Sequence, residues 1–209
     1  MPTPVLYKYR SLQNWKFVLD IITNRRLYAA SFQALNDPME GRYFYFGDEV
    51  SRQFRRSILD RKAEWRICSL SATAHNTLMW SYYAEGHKGV AIGVRLRPGS
   101  RPPAQVRQVR YDSEVYIGPG GNRRSAAHMA LDILTQKQLA WMHEQEYRAF
   151  VRDSFVQVTV SEIVLGCLID PADRELLVRV ARKFLPRVKI TNLTRAELDA
   201  PLRLSGQGA

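Results

Sequence analysis

The strongest constraint on the fold is a series of short apolar runs with period two, broken by helical stretches that never settle into a strand–helix–strand rhythm. Period two sends alternate side chains to opposite faces of a strand. Runs of this kind occupy residues 5–10, 27–32, 42–46, 65–71, 89–96, 144–151, 155–165 and 187–193, with a further one through Val106, Val109 and Tyr111. The pair 144–151 and 155–165 reads as a hairpin turning at Asp153-Ser154. Helical spacing appears in Leu12, Trp15, Val18, Leu19 and Ile22 behind a Ser11 cap, and again over 48–62, where Phe54, Ile58 and Leu59 form the apolar side. Asn76 caps a short helix through Met79, Trp80 and Tyr83 that ends at Gly86, and residues 126–140 read as one helix. Asp170-Pro171 opens a last helix reaching about Phe184, because aspartate accepts from free N–H groups and proline suits the first turn. Strands without regular crossovers predict an α+β domain of mixed or antiparallel sheets rather than a parallel sheet.

Length and composition agree with a single domain. The 209 residues suit one core over 1–200 with a frayed tail at 201–209, and the loops at 97–103 and 117–125 are too short to link domains. At 45% hydrophobic and 24% charged, the chain is not of the disordered class. No stretch approaches 18 consecutive apolar residues, so no membrane span is expected. The first ten residues lack the basic-then-apolar order of a secretion signal, and Cys68 and Cys167 are too few for a disulfide scaffold. The expected compartment is a reducing cytoplasm.

The formal charge is +11, and 24 of the 31 cations are arginine. Arginine's planar fork suits phosphates and carboxylates. The surplus points to an anionic partner, a nucleotide or a nucleic acid, or else to compositional bias alone. It is spread along the chain: neither Arg25-Arg26 nor Arg123-Arg124 is extended. There is no phosphate-cradling glycine loop, since Gly118-Pro119-Gly120-Gly121 lacks the Lys/Ser ending. The histidines His75, His87, His128 and His143 show no metal-ligand spacing, so no metal is expected. A Cys68–His87 nucleophile pair is conceivable, but Cys68 lies on an apolar strand and reads as core.

Three clusters carry chemistry. Tyr9-Arg10 ends the first strand, Ser69 and Ser71 stand at period two on another, and Glu144 and Glu146 stand at period two before a third. Paired carboxylates disfavour double ionisation unless a cation or a polar ligand is shared. Each cluster also has a plainer reading: Arg10 in an edge ion pair, the serines on strand-end backbone, and the glutamates flanking Arg148 in a surface ladder.

In this order, Arg10, Ser69-Leu70-Ser71 and Glu144-Gln145-Glu146 resemble the arginine–serine–glutamate class of ADP-ribosyltransferases. The resemblance implies an ADP-ribosyltransferase-like fold and NAD as co-substrate. It implies that Arg10 holds the diphosphate or ribose and that Ser69 braces the site. It implies that Glu146 stabilises the oxocarbenium-like transition state and that Glu144 orients the acceptor. Ser71 belongs to the same motif, and Tyr9, Trp80 and Tyr83 are candidates to stack on nicotinamide or adenine. Leu70 stands where many members carry threonine or a small residue, and the gap from Ser71 to Glu144 is wide.

A second resemblance covers most of the chain, from Leu6 to about Gly166. Leu6-Tyr7-Lys8-Tyr9-Arg10, Leu35-Asn36-Asp37-Pro38-Met39-Glu40, Met79-Trp80-Ser81-Tyr82-Tyr83-Ala84 and His87-Lys88-Gly89-Val90-Ala91-Ile92-Gly93 resemble segments of the bacterial domain-of-unknown-function family numbered 2971. So do Cys68-Ser69-Leu70-Ser71 and residues 137–141 followed by Glu144-Gln145-Glu146-Tyr147-Arg148. The resemblance implies a stand-alone bacterial protein of defence or toxin type and names no reaction. The expected function is thus an NAD-dependent ADP-ribosyltransferase-like enzyme that cleaves NAD and transfers ADP-ribose to an acceptor the sequence does not name. The rivals are a basic nucleic-acid-binding or nuclease-like effector and a catalytically inactive nucleotide-binding module.

Overall fold

Eighteen regular elements alternate along the described chain of the computed structural model, which covers residues 4–37, 40–45, 50–97, 104–112, 116–117 and 125–194. In chain order they begin with β1 (Leu6–Arg10), α1 (Trp15–Asn24), β2 (Arg26–Tyr28), β3 (Ala30–Ser31), β4 (Phe44–Tyr45), α2 (Arg52–Ala63), β5 (Arg66–Ser71), α3 (Thr77–Tyr83) and β6 (Val90–Leu96). There follow β7 (Gln105–Gln108), β8 (Arg110–Asp112), β9 (Tyr116–Ile117), α4 (Ala126–Ile133), β10 (Gln136–Gln138), β11 (Glu146–Val151), β12 (Phe155–Leu165), α5 (Pro171–Phe184) and β13 (Lys189–Asn192). The fold is α+β. Pro38, the start of the expected 48–62 helix, most of both loops and the tail at 201–209 lie outside the described residues.

The main sheet runs β13-β12-β6-β1-β5-β11-β7, antiparallel except for the parallel pair β12/β13. The principal core covers one face: Val18, Ile21 and Ile22 of α1 and Leu177 and Ala181 of α5 join Leu6, Leu70, Ile92 and Ile163 of the strands. The opposite face carries two smaller clusters. Met79 and Trp80 of α3 cover Tyr9 and Ala91, while Leu131 and Leu134 cover Ile67 and Phe150.

The sheet is split in its middle. β1 and β6 are in register over five residue pairs, and β5 and β11 over six, but β1 meets β5 at the single pair Tyr7/Ser71. Farther along β5, the edge is taken by β3 at Ile67 and Arg66. Between these points β5 has no strand partner on that side. A bare carbonyl in such a gap needs a donor, and the Lys8 ammonium supplies one to the Ser69 carbonyl at 2.7 Å.

Several expectations are corrected. The hairpin at 153–154 does not form: β11 lies between β5 and β7, whereas β12 crosses the split to lie beside β6 and β13. β12 is eleven residues long and largely buried, so both of its edges are used in the other half of the sheet. The run 27–32 breaks at Ala29, whose N–H donates to Ser154 rather than to a strand. The first helix starts at Trp15, and Ser11 bonds Glu85 and Gln13 instead of capping it. The helix expected over 126–140 stops at Ile133: Thr135 N donates back to the Asp132 carbonyl in a tighter turn, its hydroxyl donates to the carbonyls of Leu131 and Asp132, and the chain goes on into β10 beside β8. Other local signals match the structure: Asn76 accepts from Met79 N, Asp170 accepts from Ala172 N and Asp173 N, and Gly86 takes a positive φ.

Candidate functional site

The split opens into a cleft of about 400 Å³, a volume suited to a small-molecule ligand. It is built from the residues beside the gap. Residues paired directly across antiparallel strands share a face. Tyr7 pairs with Ser71 and Ser71 with Glu146, so Ser69, Ser71, Glu146 and Arg148 project to one face. Lys8 and Arg10 alternate with Tyr7 and project to the other. The cleft runs through the gap and takes its lining from both faces: Lys8 and Arg10 on one side, Ser69, Tyr83, Glu144 and Glu146 on the other.

Its floor is a buried charge network. The Lys137 ammonium lies 2.6 Å from Glu144 Oε2, 3.1 Å from Glu40 Oε1 and 3.5 Å from Glu146 Oε2. Arg148 holds Glu146 through Nε and Nη2 at 2.8 and 2.9 Å, Glu40 through Nη2 at 2.7 Å, and the Leu134 carbonyl through Nη1 at 2.7 Å. Tyr83 donates its hydroxyl to Glu144 Oε1 at 2.6 Å, and Tyr111 accepts from Glu146 N at 2.7 Å. Arg148 is fully buried and Glu146 is 3% exposed, so this is no surface ladder. Three carboxyl groups thus gather around the two cations Lys137 and Arg148. Among the described residues no cluster offers a metal site, and here the carboxylates converge on an ammonium.

The protonation states follow from the packing. Burial pushes the Glu146 carboxyl up, but Arg148, Lys137 and Ser69 outweigh it and bring the carboxyl down to about 2. Burial raises Glu40, only partly offset by Arg148 and Lys137. Lys137 is pulled down by burial and held up more strongly by its three carboxylates. Tyr83 is pushed up by burial and by its bond to Glu144.

The opposite wall is different. Among the described residues neither Lys8 nor Arg10 makes an ion pair. Lys8 has the Ser69 carbonyl, and the Arg10 guanidinium carbon lies 5.3 Å from the centre of the Phe17 ring. Arg10 Nε is buried without a hydrogen-bond partner. Burial lowers both groups' pKa values; for Lys8 the nearby Arg10 charge adds to it, while Glu146 and Glu144 across the cleft partly offset it. Gly89 keeps Arg10 in place: a Cβ there would collide with the Arg10 carbonyl.

The structure brings together Arg10, Ser69, Ser71, Tyr83, Glu144 and Glu146 on one cleft. Ser71 is 1% exposed and spends its hydroxyl on the Glu144 carbonyl at 2.8 Å, which braces the floor. Tyr9 is buried, with its ring 5.3 Å from that of Trp80 and its hydroxyl on the Thr73 carbonyl. Trp80 is a correction: it is fully buried, donates to the Ala74 carbonyl at 2.7 Å and belongs to the core under α3, not to the cleft wall. Cys68 is buried and its thiol is pushed up by burial, which leaves it a poor nucleophile. The sequence reading did not assign Lys8, Glu40, Lys137 or Arg148 to the site. Glu146-x-Arg148 at period two was the available signal for one of them.

Comparison with protein-family profiles, with characterised proteins and with solved structures gives no match for this chain. No helix among the described residues is long and apolar enough to cross a membrane.

Proposed function

We propose that the cleft binds a nucleotide of the NAD type and cleaves its N-glycosidic bond, passing ADP-ribose to a macromolecular acceptor in an ADP-ribosyltransferase-like manner. The observation that carries this reading is the two-ended charge of one cleft: Lys8 and Arg10, which make no ion pair among the described residues, face a floor where Glu40, Glu144 and Glu146 gather around Lys137 and Arg148. A diphosphate supplies the counter-charge that Arg10 lacks. The nicotinamide ribose then lies toward Glu144 and Glu146, and Tyr83 forms part of the wall. As the C–N bond breaks, its electron pair leaves with neutral nicotinamide and positive charge builds on the ribose. Preorganised carboxylates lower the energy of that charge. The acceptor nucleophile forms the new bond to the anomeric carbon, and its proton passes through a carboxylate to water. Two unpaired cysteines fit a reducing cytoplasm as the setting.

One observation favours a second reading, nucleotide binding without turnover: both oxygens of Glu146 are engaged by Arg148. Chromatographic measurement of nicotinamide release from NAD separates the two. Release by the wild type and its loss in Glu144→Gln and Glu146→Gln support cleavage. Calorimetric binding without release supports the silent pocket, and neither binding nor release sinks both.

A further inference from the structure

A second feature lies outside the cleft and stands independently of the NAD reading. The segment 40–45 leaves the cleft floor at Glu40 and runs along α2, where Lys62 donates to the Gly41 carbonyl. There Tyr43 and Tyr45 with Arg52, Arg55, Arg56 and Lys62 line a groove of about 380 Å³ floored by Leu59. Among the described residues the groove lining contains four cations and no carboxylate. Beside it Asp60 meets Arg56 at 3.5 Å with both side chains exposed, an arrangement water and salt weaken. Arg52 and Arg56 are exposed, and Arg55 Nε is buried without a partner. The Arg55 guanidinium covers the Tyr45 ring at 4.5 Å, the two tyrosine rings stand 6.2 Å apart, and Tyr45 is 38% exposed.

Cations that track a backbone, interleaved with rings on which bases stack, are the recognition chemistry of single-stranded nucleic acid. A duplex offers phosphates but hides its base faces, and an acidic peptide offers charge without flat rings. We propose that this groove binds single-stranded nucleic acid, with Arg52, Arg55 and Arg56 on phosphates and Tyr45 stacked on a base.

The test is fluorescence anisotropy of the full chain with a labelled oligothymidine of about twelve nucleotides, beside a duplex of equal length, across about 50 to 200 mM salt. The single strand is expected to bind more tightly than the duplex, with a log–log salt slope of about −2, from three contacts at about −0.7 each. Arg52→Ala/Arg56→Ala shallows that slope by about 1.4. Tyr45→Ala weakens binding roughly 5- to 100-fold, and Tyr45→Phe restores it because the ring is kept. Arg179→Ala/Lys183→Ala, which removes two exposed cations from α5, leaves affinity unchanged. Thermal melts establish that each variant is folded. The proposal is overturned by absence of binding at about 50 mM salt, by tighter binding of the duplex, by equal losses in the two double variants, or by full affinity in Tyr45→Ala.

Discussion

The two walls of the cleft carry opposite electrostatic solutions. On the floor, every buried charge has a partner: Arg148 fills its guanidinium with Glu146, Glu40 and the Leu134 carbonyl, and Lys137 sits among three carboxylates. Across the gap, Lys8 has one carbonyl and Arg10 has a bare Nε. A buried charge with its partners in place is a rigid part of the scaffold, and removing one partner strands the other. Lys8 and Arg10 are only half-buried and make no ion pair among the described residues, so an incoming anion can reach and pair with them. Under the proposed function, the floor holds its own geometry as well as facing the ribose, and the wall supplies the charge that meets an anionic ligand. Substitutions on the floor are therefore expected to cost stability first, and substitutions on the wall to cost binding first.

The largest effect is expected at Arg148. Arg148→Met leaves Glu40 and Glu146 buried against Lys137 alone, and urea unfolding is expected to show a loss of about 3–5 kcal/mol. A loss below about 1 kcal/mol would erase the distinction between floor and wall. Next is Glu146→Gln, with a loss of about 3 kcal/mol at neutral pH, which corresponds to the fall of its carboxyl from 4.5 to about 2. The sign follows from that depression. The folded state holds the ionised form, so this stability is fully present above pH 4.5 and is lost as pH falls to about 2. The gap between wild type and Glu146→Gln is expected to close across that window in acid unfolding curves. A gap that stays constant there would show that Glu146 is not the group being paired. The smallest stability effect is expected at Lys8→Met. It removes an uncompensated cation and leaves the Ser69 carbonyl bare, so the net change stays within about 1 kcal/mol, while NAD affinity falls several-fold by calorimetry. A large loss of stability with full affinity would move Lys8 into the scaffold.

Much of the site was legible in sequence because strand periodicity is local. Ser69 and Ser71 reach the cleft because period two keeps both on one side of β5, and β1 ends at Arg10 where the alternating run ends, but Glu144 and Glu146 arrive by another route: Glu144 ends a 3-10 turn, Gln145 takes a left-handed φ, and β11 begins only at Glu146. What escaped is non-local. Nothing in the composition of β1 or β5 shows that they part after one pair, and it is that parting which makes a cleft and lets Lys8 act as a surrogate strand donor. Lys137 was hidden inside an apparent helix: the apolar spacing of 126–134 continues through Leu139 and Ala140, whereas the chain leaves the helix after Ile133 to pair β10 with β8, a partner no local pattern reveals. Trp80 shows the converse error. An aromatic beside a tyrosine reads equally well as a stacking shelf, and only the packing under α3 turns it inward. The expected hairpin at 153–154 failed because turn chemistry reports a reversal of the chain and not which strand each arm will pair with.

If the cationic wall takes its counter-charge from a bound anion, Arg10 is where that shows most directly. Calorimetric titration of NAD into wild type and Arg10→Met, paired with urea unfolding of both, is expected to show affinity reduced tenfold or more while unfolding free energy changes by no more than about 1 kcal/mol. Equal affinity in the two proteins, or a stability loss on the scale of Arg148→Met, would contradict the account.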